Sequence, residues 1–199
     1  MTKIKLCGLS RAEDIFAANE ILPEFVGFVF AQKSRRRVSI NQAAELKKNL
    51  RAEISAVGVF VDEEIKIVAE ISGRGIIDAI QLHGAENDEY IKNLRRLTKI
   101  PIIKAFRVGG LKNLELAENS AADFILLDSG AGTGEIFDWT LPKNFRRPYF
   151  LAGGLTAENV RGAINLLNPF AVDVSSGIET DGVKNAEKMR QFVNAVRNF

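Results

Sequence analysis

The sequence predicts a (β/α)8 barrel that takes up residues 1–199 as a single α/β domain. Eight short apolar runs alternate with segments of helical period, the pattern of parallel strands joined by crossover helices. Closing eight such strands into a ring removes both sheet edges, so a barrel is favoured over an open sheet. Hydrophobic residues make up 46% of the chain and charged residues 26%, enough for one sizeable core and too little chain for two.

Lys3-Ile4-Lys5-Leu6-Cys7-Gly8 reads as the first strand, with Lys5 and Cys7 on the interior face and Gly8 allowing a sharp turn into a helix. Ser10 and Glu13 have capping-box spacing, and the helix they open should reach about Ile21. Phe25 to Phe30, aromatic and β-branched, is a second buried strand. After a loop, Ser39 and Gln42 repeat the capping spacing and start a helix with Ala43, Leu46 and Leu50 on its apolar stripe. Ile54 to Val61 is the third strand, and Asp62 is placed to cap a helix carrying Ile65, Val68 and Ile71 that Gly73 ends.

Asp78 to Gly84 is the fourth strand, and a helix near Asn87 to Leu97 follows. Pro101 to Phe106 is the fifth, where proline is tolerated because it begins the strand. A short helix, Leu111 to Ala117, leads to Asp123–Asp128, the sixth, which ends in a carboxylate before a glycine-rich loop. Pro148 to Ala152 and Phe170 to Val174 are the seventh and eighth. Thr156 can cap the helix between them, and a last helix should run from about Ala186 to Arg197.

Charge and cysteine usage narrow the function. With 27 basic against 25 acidic residues the net charge is +2, so no field argues for nucleic acid or a membrane, and a small molecule is the natural partner. One cysteine forms no internal disulfide, and with one histidine it builds no recognisable zinc cluster, so no metal is expected. The N-terminus lacks a signal-peptide apolar region and no apolar run nears the roughly 18 residues of a membrane span, so the expected location is the cytoplasm.

Barrel chemistry sits at the C-terminal ends of the strands, which points to Cys7, Arg36, His83, Arg107, Asp128, Gly153, Gly154, Ser175 and Ser176. Gly153-Gly154 and Ser175-Ser176-Gly177 close the seventh and eighth strands, where barrels often bind phosphate through backbone N–H groups, and a short helix after Gly177 can add its N-terminus. Each loop alone is an ordinary turn; the adjacent pair favours a phosphorylated substrate. The loop Asp128 to Glu135 lacks the Gly-Lys-Ser/Thr ending of a nucleotide P-loop, yet its alternate glycines can close over a ligand, with Phe137 and Trp139 anchoring its far end; for Trp139 a core position is the simpler reading. In the basic run Lys33 to Arg37, one arginine at the rim can clamp a carboxylate with two hydrogen bonds while the other two face water. His83, as a lone histidine, reads as a hydrogen-bonded pocket wall, and Cys7 taken alone reads as a small buried hydrophobe.

Taken together, Lys5-Leu6-Cys7-Gly8, Gly27-Phe28-Val29-Phe30 with Ser34-Arg35-Arg36, Val57 to Phe60, Gln81-Leu82-His83-Gly84, Leu127-Asp128 with Gly132-Thr133-Gly134 and Phe137-Asp138-Trp139, Gly153-Gly154-Leu155, and Val172 to Gly177 resemble the phosphoribosylanthranilate isomerases of tryptophan biosynthesis across the whole chain. The resemblance implies isomerisation of N-(5-phosphoribosyl)anthranilate to 1-(2-carboxyphenylamino)-1-deoxyribulose 5-phosphate, an Amadori rearrangement without cofactor or metal. It places the general base on Cys7, the general acid on Asp128 and the carboxylate-binding arginine on Arg36, flanked by Arg35 and Arg37. His83 and Asp173 join Arg36 as substrate-binding candidates, and Gly153, Gly154, Ser175, Ser176 and Gly177 are the phosphate-binding ones. Ala152 stands where many members have serine.

Two alternatives remain. The related sugar isomerase of histidine biosynthesis has aspartate where Cys7 stands, and a silent barrel would merely bind a phosphosugar or a protein. The chain is expected to act as a monomer or weak homodimer. Strand alternation also pairs Lys5 with Asp173 inside the barrel. Cys7 and Asp128, three strands apart, should flank the substrate without touching, with Asp128 kept partly protonated by burial under the closed glycine loop.

Overall fold

Side-chain alternation sorts the strands into two layers. In Phe124–Asp128, Ile125 and Leu127 pack outward beneath the helices, whereas Leu126 joins Val57, Ala79, Ile103 and Phe150 inside the barrel. The computed structural model describes residues 1–108, 110–128 and 145–198. Its eight parallel strands are β1 (Lys3–Cys7), β2 (Phe25–Val29), β3 (Ser55–Phe60), β4 (Ala79–Leu82), β5 (Ile102–Arg107), β6 (Phe124–Asp128), β7 (Tyr149–Ala152) and β8 (Ala171–Val174). They pair in chain order and close through β8 on β1, with Lys5 opposite Asp173. All eight expected strands are present.

Seven helices are described: α1 (Ala12–Ile21), α2 (Ile40–Lys48), α3 (Ile65–Gly73), α4 (Asp88–Arg95), α5 (Leu111–Glu118), α6 (Val160–Leu167) and α7 (Ala186–Arg197). Ser39 Oγ accepts from the Gln42 amide at 3.1 Å and caps α2, and Ala43, Leu46 and Leu50 are buried as their spacing predicts.

Three capping expectations are corrected. The carboxylate of Asp14, not Glu13, accepts the Ser10 and Arg11 amides at 2.9 and 3.0 Å, because α1 begins one residue later than the Ser10 spacing implies. Asp62 has φ 50° and accepts the Ala85 amide at 2.6 Å, so it ties the β3 end to the β4 end and leaves Glu64 as the N-cap of α3. Thr156 lies a turn too early: Asn159 precedes α6, and its Oδ1 accepts the Thr156 amide at 2.8 Å.

Aspartates read as strand starts instead finish the neighbouring strand. Asp78 Oδ2 accepts the Ala56 amide and Asp123 Oδ2 the Ile102 amide, each at 2.7 Å, and Glu24 does the same for Ile4 at 2.8 Å. These carboxylates satisfy the first amides at the bottom of the barrel. Above them Phe25 and Phe170 pack on Phe150 with ring centroids 5.4 and 5.6 Å away, which fills the floor and leaves the opposite mouth open.

A feature absent from the sequence reading follows β8. The expected helix after Gly177 is a single 3-10 turn, Ser176–Ile178, and then a hairpin, β9 (Glu179–Thr180) and β10 (Val183–Lys184), turning on Asp181 and Gly182, both at positive φ. Asp-Gly between two short runs is the local signal for such a turn. The glycine loop 129–135 beyond Asp128, with Phe137 and Trp139, lies outside the described residues.

Candidate active site

At the C-terminal mouth a cavity of about 350 Å³ is lined by Cys7, Arg36, His83, Asp128, Gly153, Gly154, Asp173, Ser175 and Ser176, together with Gln81. Every candidate site residue is thus in one place except Gly177, and Arg107 lies outside it, at a separate depression beside Lys104 and Phe106. That depression is larger, about 530 Å³, but it opens between β4, β5 and their helices rather than over the barrel axis. Gly177 instead spaces the loops. A Cβ there would fall 2.0 Å from the Leu155 carbonyl oxygen, so its lack of a side chain lets the loops after β7 and β8 touch.

Cys7 ends β1 as a buried free thiol. A Cβ on Gly27 of the neighbouring strand would sit 2.7 Å from its Sγ, so the bare glycine provides the sulfur's space. Two positions below, fully buried Lys5 places Nζ 3.0 Å from Asp173 Oδ1, the pairing expected from strand alternation. Burial opposes the Lys5 charge, but Asp173 and Cys7 outweigh it and hold the ammonium above its usual range. For Cys7, burial dominates and pushes the thiol up; Lys5 pulls it back, while the Asp173 carboxylate adds to the rise. The thiolate is therefore a strong base once formed, and Lys5 is its nearest compensating charge.

Asp128 closes β6 across the mouth and is about one quarter exposed (26%). His83 Nε2 lies 3.2 Å from Asp128 Oδ2, and Gln81 Nε2 lies 2.9 Å from His83 Nδ1. With the Gln81 amide nitrogen as donor, Nδ1 accepts and Nε2–H is the ring donor directed at Asp128. The reading of His83 as a hydrogen-bonded wall holds, and the group it bonds is the candidate acid.

The arginine run is corrected in part. Arg37 is exposed as expected, but Arg35, although exposed, reaches Glu179 Oε2 at 2.6 Å. Of the three, only Arg36 lines the cavity, and its Nε and Nη2 bind Glu179 at 2.6 and 2.9 Å. The side-on fork is thus occupied, which leaves the end-on fork with Nη1 to make the two-hydrogen-bond clamp on a ligand carboxylate. Glu179 also accepts Lys184 Nζ at 2.7 Å. Burial would raise Glu179, but hydrogen bonds from Arg36 and Lys184 prevail and hold it at about 2. For Lys184 burial wins and lowers its pKa despite Glu179. Sequence reading missed both residues; the Asp181-Gly182 turn was the available signal.

Ser175 donates its hydroxyl to the Cys7 carbonyl at 3.1 Å and accepts from Lys184 Nζ at 3.2 Å. Its side chain therefore supports the backbone under Cys7, and Ser175 still lines the cavity. Ser176 and the backbone amides of these loops remain as candidate donors.

Among the described residues, no group of three or more His, Cys, Asp and Glu is placed to hold a metal ion, and no helix is long and apolar enough to cross a membrane.

Comparison with known proteins agrees with this geometry. A family model described as N-(5'-phosphoribosyl)anthranilate (PRA) isomerase matches residues 4–195. The N-(5'-phosphoribosyl)anthranilate isomerase of Caldanaerobacter subterraneus is 44% identical over 204 residues, covering 99% of this chain and 98% of that one. The crystal structure of phosphoribosyl anthranilate isomerase from Thermotoga maritima superposes with a TM-score of 0.92 at 36% identity over 100% of both chains. A phosphoribosyl anthranilate isomerase structure in complex with reduced 1-(o-carboxyphenylamino)-1-deoxyribulose 5-phosphate gives 0.89 at 35% identity, again over 100% of both.

Proposed function

The chain belongs to the phosphoribosylanthranilate isomerase family, and we infer from that membership and the mouth geometry that it converts N-(5'-phosphoribosyl)anthranilate to 1-(2-carboxyphenylamino)-1-deoxyribulose 5-phosphate, a step of tryptophan biosynthesis. The observation that carries the reading is the placement of a thiol on β1 and a carboxyl on β6 around one cavity. The related histidine-pathway reaction would call for a carboxylate at position 7, where this chain has Cys7.

The roles of individual residues are our proposal. Asp128 delivers a proton to the ribose ring oxygen while the anilino nitrogen forms a Schiff base at sugar carbon 1 and the ring C–O bond breaks. The iminium acidifies carbon 2, and the Cys7 thiolate removes that proton to give an enolamine. The enolamine takes a proton at carbon 1 and loses its hydroxyl proton at carbon 2, which yields the ketone. His83 orients the Asp128 carboxyl, and Lys5 offsets the charge that ionisation places on Cys7. The phosphate sits on the Gly153-Gly154 and Ser175-Ser176-Gly177 loops, the anthranilate carboxylate on the end-on fork of Arg36, and Asp173 contributes through Lys5 and the cavity wall. None of these steps calls for a cofactor.

We further propose that the chain works in the cytoplasm, as a monomer or weak homodimer that sedimentation would distinguish. The activity itself is tested by following loss of the substrate's fluorescence with the purified chain. Turnover supports the assignment; stable binding without turnover would make this a silent barrel.

A further inference from the structure

Lys184, on the hairpin strand β10, is a buried cation that the reaction scheme leaves unused. Its ammonium donates to the Ser175 carbonyl at 2.8 Å, to Ser175 Oγ at 3.2 Å and to Glu179 Oε1 at 2.7 Å, which occupies its three N–H bonds. Ser175 Oγ in turn donates to the Cys7 carbonyl at 3.1 Å, so one hydroxyl links the hairpin to the end of β1. The charges around the thiol are uneven. Lys5, on the thiol's own strand, is answered by Asp173 of β8. In the hairpin cluster a single carboxylate, Glu179, answers Arg35, Arg36 and Lys184 together, so that side carries a surplus of positive charge. The neighbouring β2 and β3 meet Cys7 with uncharged Gly27, Val29 and Val59, and His83 and Asp128 share its cavity.

We propose that Lys184 is a positioning residue for the isomerase reaction: through Ser175 it fixes the main chain at Cys7, and its charge stabilises the thiolate that removes the sugar proton. The influence runs both ways. Lys184 draws the Cys7 thiol down against the larger effect of burial, and the ionised thiol draws the Lys184 ammonium up. No contact with substrate is involved, because all three ammonium hydrogens are already committed within the hairpin and its junction with β8. The hairpin is what makes the arrangement possible: Asp181 and Gly182, both at positive φ, return the chain so that Lys184 pairs with Glu179 in register.

This inference rests on the isomerase reading, but thiolate absorbance needs no substrate, so a wild type that fails to turn over counts against that reading and not against the coupling. The experiment titrates Cys7 in wild type, Lys184→Met, Lys184→Arg and Lys188→Met, with Cys7→Ala subtracting the two tyrosines, whose own midpoints lie at about 12. We expect Lys184→Met to raise the thiol midpoint by about one unit and to carry the alkaline limb of kcat/KM up with it. Lys184→Arg, which keeps the charge, should titrate near wild type. So should Lys188→Met, which removes a cation bonded to the Glu179 carbonyl at 2.7 Å on the same hairpin. A midpoint in Lys184→Met at or below that of wild type overturns the proposal and leaves Lys184 as a support of the hairpin alone; a rise shared in full by Lys184→Arg or by Lys188→Met does the same. Should Lys184→Met fail to fold, the Cε resonance of Lys184 decides: it should titrate at lower pH in Cys7→Ala than in wild type, because the ammonium loses the thiolate. Identical titrations overturn the proposal.

Discussion

Lys5 Nζ and Asp173 Oδ1 meet at 3.0 Å across the seam where β8 closes on β1, directly opposite in register and beneath the thiol of Cys7. Both side chains are buried, so each is the reason the other can be charged there. Lys5→Met should lower unfolding stability by about 3–5 kcal/mol, the cost of leaving a buried carboxylate unpaired, and adding Asp173→Asn should recover much of that loss. Urea unfolding of wild type, Lys5→Met and the double variant checks it. A single variant as stable as wild type would remove the pair from the barrel's energetics.

The chain's one cysteine makes its ionisation readable by thiolate absorbance. Burial raises the Cys7 thiol more than Lys5 lowers it, so the titration midpoint should lie above the free-cysteine value of about 8.5. Because the thiolate is the active form, kcat/KM should climb along the same alkaline limb. A raised acid binds its proton more tightly when folded, so the stability this confers is complete below the unfolded value and is lost as pH climbs through the folded one. A rate independent of pH across that midpoint would contradict the assignment of Cys7 as base.

Glu179 behaves in the opposite sense. Its folded pKa of about 2 lies below the ordinary value near 4.3, so the stabilisation it confers is complete above the ordinary value and fades as pH falls toward 2. Glu179→Gln should remove that acid-side slope between about pH 4.3 and 2. At neutral pH it should raise KM more than it lowers kcat, because Arg36 loses the partner that fixes its fork. Urea midpoints from pH 6 down to 3, with steady-state kinetics, test both halves.

The two contacting loops after β7 and β8 should hold the anion. In a complex with inorganic phosphate or sulfate, the ion is expected between Gly153-Gly154 and Ser175-Ser176, on backbone amides and the Ser176 hydroxyl. An anion held instead at the Arg107 depression would contradict that placement.

Much of this architecture was legible because barrel strands obey simple alternation. The positions of Lys5, Cys7 and Asp173 followed from period two alone, and Asp128 from its place at a strand end. Capping was less legible: Ser10, Asp62 and Thr156 have the right chemistry in the wrong register, since tertiary contacts such as Asp62 to Ala85 set where the chain enters each helix. The Glu179 cluster was hidden for another reason. An acid far along the chain from Arg36 carries no local signal of pairing with it, and only the hairpin on Asp181-Gly182 brings it there.

Everything proposed for the mouth turns on Cys7 and Asp128 moving protons rather than binding substrate, and single-site kinetics separate the two roles. Cys7→Ala and Asp128→Asn should each lower kcat by about 10²–10⁴, while each still binds the reduced product analogue with an affinity near that of wild type. Near-normal turnover by either variant, or a loss confined to binding, would contradict the role given to that residue.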